Sequence, residues 1–167
     1  MKNNVLIIIS LCTVITLNAN TLSVTPTIPF YISKYSNIAQ AESDRSKIPA
    51  SIILAQGILE SGFGNSKLCI RSNNHFGIKW KGATDGDFVY SMDDDYDKKG
   101  KHIPSKFVKY SSASESFQRH SQFIKTKSNY RTLFKYDRTD FVSWAYGLRA
   151  CGYSTDADYG DRSGPER

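Results

Sequence analysis

Among the residues of this chain that can move a proton, Glu60 has the most telling setting. It closes the run I-I-L-A-Q-G-I-L-E-S-G-F-G-N-S from Ile52 to Ser66, an apolar helical stretch that carries one carboxylate and then meets glycines. Pro49 suits the first turn of such a helix, and Gly62 suits the left-handed position that ends one. Carbonyl ends of the peptide dipoles crowd a carboxylate there, and neighbours such as Leu59 and Phe63 would dehydrate it. Both effects disfavour the charged form, and a raised pKa suits a general acid. The same position also reads as a solvated helix-end Glu, and position alone leaves both readings open.

A proton donor of this kind fits glycoside hydrolysis, which generally needs a second group to activate water, attack, or stabilise positive charge. Asp93, Asp94 and Asp95 supply candidates, although an acidic run at a hairpin tip also reads as a solvated turn. Other chemistries find less support. His75, His102 and His120 show no H-x-x-x-H or H-E-x-x-H spacing, so no metal site is expected. Cys69 with His75 lacks the local signature of a thiol hydrolase, and G-F-G-N-S follows a helix without the strand and lysine of a phosphate loop. No cofactor is implied.

The elements that must position these groups follow from periodicity. Phe30 to Asp44 places Ile32, Tyr35, Ile38 and Ala39 at helical spacing, followed by a basic turn through Arg45 and Lys47 and then the Glu60 helix. A short helical turn over Ser66 to Arg71 leads into S-N-N-H-F-G-I-K. There Asn73 and Asn74 carry turn chemistry, Phe76 and Ile78 can pack inward, and the segment should lie beside Glu60. From Trp80 to Tyr110, F-V-Y-S-M and I-P-S-K-F-V-K-Y flank a charged, Gly-containing stretch, the pattern of a hairpin.

Ser112 to Glu115 has the capping-box form and opens a third long helix through Ala113, Phe117, His120 or Ser121, and Ile124. A short helix is expected over Asn129 to Tyr136. A further one covers Thr139 to Cys151, with Phe141, Trp144, Ala145 and Leu148 buried and Gly152 as its stop. Mostly helices with one β lobe is an α+β arrangement, and no internal repeat is visible.

The chain has 167 residues, enough for one domain with a real core. Met1 to Asn20 has a charged start, an apolar run from Val5 to Leu17 and small polar residues after it, the pattern of a secretory signal. That run is short for a bilayer span, so no stable membrane anchor is expected once the signal is removed. Residues 21–29 read as a Thr- and Pro-rich linker, and 30–167 as the functional domain. Lys plus Arg total 22 against 16 Asp plus Glu, and without Lys2 the balance is still +5. A basic exported protein with ten Tyr and nine Phe suits an anionic polymer, although a solvated basic surface accounts for charge equally well. Cys69 and Cys151 remain after the signal. An oxidising compartment permits their pairing, and spacing leaves the question open.

The segments I-P-A-S-I-I-L-A-Q-G-I-L-E-S-G-F-G-N-S-K-L, S-N-N-H-F-G-I-K and G-L-R-A-C-G-Y-S-T-D together resemble the peptidoglycan N-acetylglucosaminidases of glycoside hydrolase family 73, over about residues 30–161. The resemblance implies a lysozyme-like fold, a mainly helical lobe and a small β-hairpin lobe flanking a glycan groove. It implies cleavage of the β-1,4 bond after N-acetylglucosamine in wall glycan, with Glu60 as the acid. Tyr153 matches the family's active-site tyrosine, Asn74 and Phe76 match its groove-lining N-N-x-F-G-I-K segment, and Glu115 matches a structural position. The second carboxylate falls on Asp95 before Tyr96, with Asp93 or Asp94 as alternatives and the substrate's own N-acetyl group as the nucleophile if none comes close.

The implied partner is the peptidoglycan glycan strand and not nucleic acid, met by a monomer in the periplasm, the wall or the medium. Ala157 stands where relatives carry proline, and the ending D-R-S-G-P-E-R reads as truncated before a further helix. Two rival functions use the same motifs: a non-catalytic glycan-binding or adhesin module, and a lytic transglycosylase yielding a 1,6-anhydro product.

Overall fold

A computed structural model of the protein describes residues 27–153, so the expected signal segment and the ending D-R-S-G-P-E-R lie outside the described residues. Helix α1 spans Ile28–Ser46, two residues beyond the helix expected over Phe30 to Asp44 at each end. Thr27 caps it by accepting from the Phe30 N–H, and Pro29 occupies the first turn, where its missing donor costs nothing. The Thr- and Pro-rich lead-in therefore ends in a helix start. Helices α2 (Ala50–Ser61) and α3 (Lys67–Ser72) follow, then a 3-10 turn over Ala83–Asp85.

Strands β1 (Phe88–Tyr96) and β2 (His102–Val108) form a two-stranded antiparallel hairpin. The acidic run is not its tip. Asp93, Asp94 and Asp95 lie within β1, between Met92↔Pro104 and Tyr96↔His102, where the pairing register shifts. The turn is confined to residues 97–101, held by Asp97, whose side chain accepts from the Lys99 and Lys101 N–H groups at 2.8 and 2.9 Å. Four bonds tie the hairpin region to the helical lobe. Arg71 donates to the Tyr90 carbonyl, Tyr110 N–H to Ser72 at 2.8 Å, Asn73 to Tyr110 at 3.1 Å and Asn74 to Val108 at 3.0 Å.

Helix α4 (Ala113–Thr126) starts with a displaced capping box. Ser112 Oγ accepts from the Glu115 N–H, but the Glu115 carboxylate reaches back to Ser111, not Ser112, accepting from its N–H at 2.8 Å and its hydroxyl at 2.7 Å. Glu115 is thus structural. A 3-10 stretch over Ser128–Lys135 and helix α5 (Phe141–Ala150) complete the helical lobe. Tyr31, Ile52, Ile53, Phe117, Ile124, Leu133, Trp144 and Leu148 form its interior. On α5 the buried stripe begins only at Trp144, and Phe141 is left 38% exposed.

Cys69 is buried and Cys151 half-buried, and both are free thiols. Burial pushes the Cys69 thiol up to about 11, which keeps it protonated and unreactive. Among the described residues no helix is long and apolar enough to cross a membrane.

Candidate active site

Glu60 reaches its place because α2 packs tightly and stops abruptly. Ile52, Ile53, Gln56 and Gly57 are buried, so the helix is pinned against the core along one side. Gly62 then takes φ 55°, Phe63 φ 59° and Gly64 φ 78°, a left-handed run that turns the chain away. The Phe63 N–H caps the Ile58 carbonyl at 3.0 Å, and Ser61 Oγ accepts from the Gly64 N–H at 2.7 Å. Glu60 is left on the last turn facing a cleft of about 630 Å³.

The cleft lies between the helical lobe and the hairpin region. Phe76, Ile78, Lys79, Val108 and Tyr110 line one side, and Arg119, His120, Phe123, Tyr130 and Tyr153 line the helical side. Glu60 is open to this space, yet the surrounding walls dehydrate its carboxyl and raise its pKa above the ordinary carboxylate range. Desolvation is the cause; the lining residues supply it, whereas Phe63 points outward at 39% exposure.

Asp95 is the electrostatic opposite. Ser105 donates a hydroxyl to it and the Lys79 ammonium lies 2.9 Å away, which together hold its carboxyl below the usual range. Lys79 also pairs with Asp93 at 2.8 Å. Strand alternation sorts the three aspartates, since Asp93 and Asp95 share the more covered face of β1 while Asp94 faces outward. Lys79 lines the cleft, whereas Asp95 is not brought to its lining and stands behind that wall as the partner of the lysine. Two carboxyl groups shifted in opposite directions are what acid and charge-stabilising roles require.

Phe76 and Tyr153 are brought to the cleft wall beside Glu60. Phe76 stacks on His120 with ring centroids 3.9 Å apart, and Tyr153 meets His120 in an edge-on arrangement at 6.0 Å. Asn74 sits behind the wall. Its amide donates to the Ile78 and Val108 carbonyls at 2.9 and 3.0 Å and accepts from the Ile78 N–H at 3.0 Å, so it shapes the loop that presents Phe76 and Ile78.

His75 is locked in the interior, bonded to Tyr31 at 2.9 Å and packed on Tyr35 and Phe117. Burial, with Lys34 nearby, lowers its pKa to about 4, and burial alone lowers that of His120 to about 3, so both are neutral. Among the described residues no group of three or more His, Cys, Asp or Glu side chains could hold a metal ion.

Sequence reasoning passed over most of the helical wall. Arg119, Phe123 and Thr126 recur at helical spacing on α4, and that periodicity could have marked a second, outward-facing stripe. Asp85 carried no such signal: its carboxylate accepts from the Lys81 N–H at 2.7 Å and pairs with Arg119 at 3.2 Å, a contact across 34 positions of sequence.

Comparison with known proteins agrees with this architecture. A family model named Glucosaminidase, described as mannosyl-glycoprotein endo-beta-N-acetylglucosaminidase, matches residues 36–163. The exo-glucosaminidase LytG of Bacillus subtilis is 37% identical over 136 residues, covering 79% of this chain and 48% of the relative. An autolysin of Enterococcus faecalis is 34% identical, covering 77% of this chain and 18% of its own length. The chain thus spans less than half of either relative. Among solved structures, the catalytic domain of the autolysin Auto from Listeria monocytogenes superposes with a TM-score of 0.69 at 26% identity, covering 86% of this chain and 84% of that one. The glycoside hydrolase domain of FlgJ from Salmonella typhimurium gives 0.65 at 25% identity, covering 82% and 84%. These neighbours place the chain in the lysozyme-like α+β class.

Proposed function

The chain belongs to the Glucosaminidase family of glycosidases, and from that premise we propose that it is an exported peptidoglycan hydrolase that cuts within the glycan strand, at the β-1,4 bond following N-acetylglucosamine. The observation that carries this reading is the raised carboxyl of Glu60 on the wall of a cleft. Protonated Glu60 donates to the glycosidic oxygen as the bond breaks, and Asp95, kept ionised by Ser105 and Lys79, answers the positive charge that develops on the sugar. Phe76 and Tyr153 seat the N-acetylated sugar, and Asn74 acts one layer back by fixing the Phe76–Ile78 loop. Met1 to Asn20 serves as the export signal, consistent with relatives named autolysin and peptidoglycan hydrolase.

Glu60→Gln tests the assignment, because it keeps the shape and removes the proton. Release of reducing ends from purified wall should fall by about 10²- to 10⁴-fold while circular dichroism stays unchanged; full activity in that variant refutes the role. Mass spectrometry of the wild-type digest should show reducing-end N-acetylglucosamine on fragments of mixed length. Fragments ending in 1,6-anhydro sugars would instead mark a transglycosylase, monosaccharide release an exo-acting enzyme, and wall binding without products a lectin-like module.

A further inference from the structure

Glu60 apart, the charged groups that line the cleft do not balance. Lys79 is answered by Asp93 and Asp95, and Arg119 by Asp85. Two further cations line the same cleft, Lys81 and Lys127, and among the described residues no salt bridge joins either to an acid. They come from different parts of the fold. Lys81 donates its own backbone N–H to the Asp85 carboxylate at 2.7 Å, so its backbone is fixed. Lys127 ends α4, with its ammonium 5.8 Å from the centre of the Phe123 ring, and Phe123 also lines the cleft. Both side chains are exposed. A neutral sugar chain offers such cations nothing that water does not, whereas a carboxylate on the chain offers each a charge-assisted hydrogen bond.

We propose that Lys81 and Lys127 form an anion-reading pair that selects glycan bearing carboxylate groups over neutral N-acetylated polysaccharide. The pair rests on the hydrolase reading above and sharpens its substrate. Wall glycan carries carboxylates from two sources, the lactyl ether of sugars that bear no peptide and the peptide stem where the lactyl group is joined to one, and the lysines would recognise the chemistry they share. A plainer role exists for Lys127, since a cation at a helix C-terminus complements the dipole. That role predicts a loss of stability in its absence, and no change in substrate preference.

The test uses Lys81→Gln, Lys127→Gln and the double variant, with Lys99→Gln in the hairpin turn as a control for the same charge change away from the cleft. Three substrates are compared: intact peptidoglycan, glycan strands stripped of peptide, and stripped strands with the lactyl carboxyls amidated. Each cleft lysine should contribute roughly tenfold to kcat/KM on carboxylate-bearing strands, about the size of one charge-assisted contact. The amidated strands should show no such dependence. Loss that persists on stripped strands assigns the lactyl group, and loss confined to intact wall assigns the stems.

The proposal is overturned if the variants lose equally on amidated strands, lose nothing anywhere, or are matched by Lys99→Gln. Wild type inactive on all three substrates would refute the hydrolase reading instead. In that case the same lysine comparison, read as binding of soluble strands in the Glu60→Gln background, still decides this one.

Discussion

Gly57 stands inside α2, one turn before Glu60, and two physical effects predict opposite outcomes for Gly57→Ala. Helix propensity alone favours alanine by about 1 kcal/mol at an interior position. Packing opposes it. A Cβ at 57 would lie 2.4 Å from the Tyr31 hydroxyl oxygen and 3.2 Å from Cζ of the same ring. Tyr31 cannot swing aside cheaply: it is fully buried, its hydroxyl bonds His75 at 2.9 Å, and its ring packs on Tyr35 at 4.5 Å between centroids.

Overpacking of this kind costs about 1–3 kcal/mol, and pulling the hydroxyl off His75 leaves a buried polar pair unmade at about 1–3 kcal/mol more. After the propensity gain is deducted, the net destabilisation should be about 3 kcal/mol. Urea unfolding should show a lower midpoint with an unchanged slope. Tyr31→Phe in the alanine background removes the 2.4 Å contact, so the double variant should be more stable than the two single losses sum to, by about 1–2 kcal/mol of coupling. A midpoint equal to or above wild type for Gly57→Ala, or strict additivity in the cycle, would refute the claim that Tyr31 is held rigidly against α2.

Two further outcomes follow from the carboxylates. Because the folded state raises the Glu60 pKa above its ordinary 4.5, the fold binds that proton more tightly than the unfolded chain does, and stability is lost as pH rises from 4.5 through the raised value. Glu60→Gln should therefore melt higher than wild type at neutral pH, with the gain vanishing well below 4.5; an unchanged or lower neutral melting temperature contradicts the desolvation argument. Asp95→Asn should lower kcat on wall substrate by at least about 10²-fold, whereas Asp94→Asn, on the outward face of β1, should leave kcat near wild type. The reverse order would move the second carboxylate to Asp94.

What the sequence disclosed tracks how local each feature is. The Glu60 helix was legible because its start at Pro49, its apolar run and its stop at Gly62 are all neighbours in the chain. The α4 cap was nearly so, missing only by the one-residue displacement to Ser111. The extent of β1 was not: three consecutive aspartates read as turn, but Asp95 is held in the strand by Ser105 and Lys79, partners 10 and 16 positions away. Asn74 likewise looked available to substrate until its amide proved to be spent on Ile78 and Val108. The Asp85–Arg119 pair, joining a loop to a helix, could be read from no local pattern at all.

Helix α4 explains why the cleft and the core are hard to separate in this protein. Phe117 and Ile124 on one face complete the interior, while Arg119, Phe123 and Thr126 on the adjacent face line the cleft, and His120 lies between the two. His120 is fully buried and neutral, with Phe76 on one ring face and Tyr153 at its edge, so it works as a packing plate that sets the distance between the hairpin-side wall and the tyrosine. Glu60 is placed in the same way, by a helix whose buried side is fixed by Tyr31 and whose exposed end is left to the cleft. The helical side of the cleft is thus made of the unburied margins of core helices. The burial that raises Glu60 goes with that arrangement, because the helix carrying it is fixed in the core and its last turn meets the cleft.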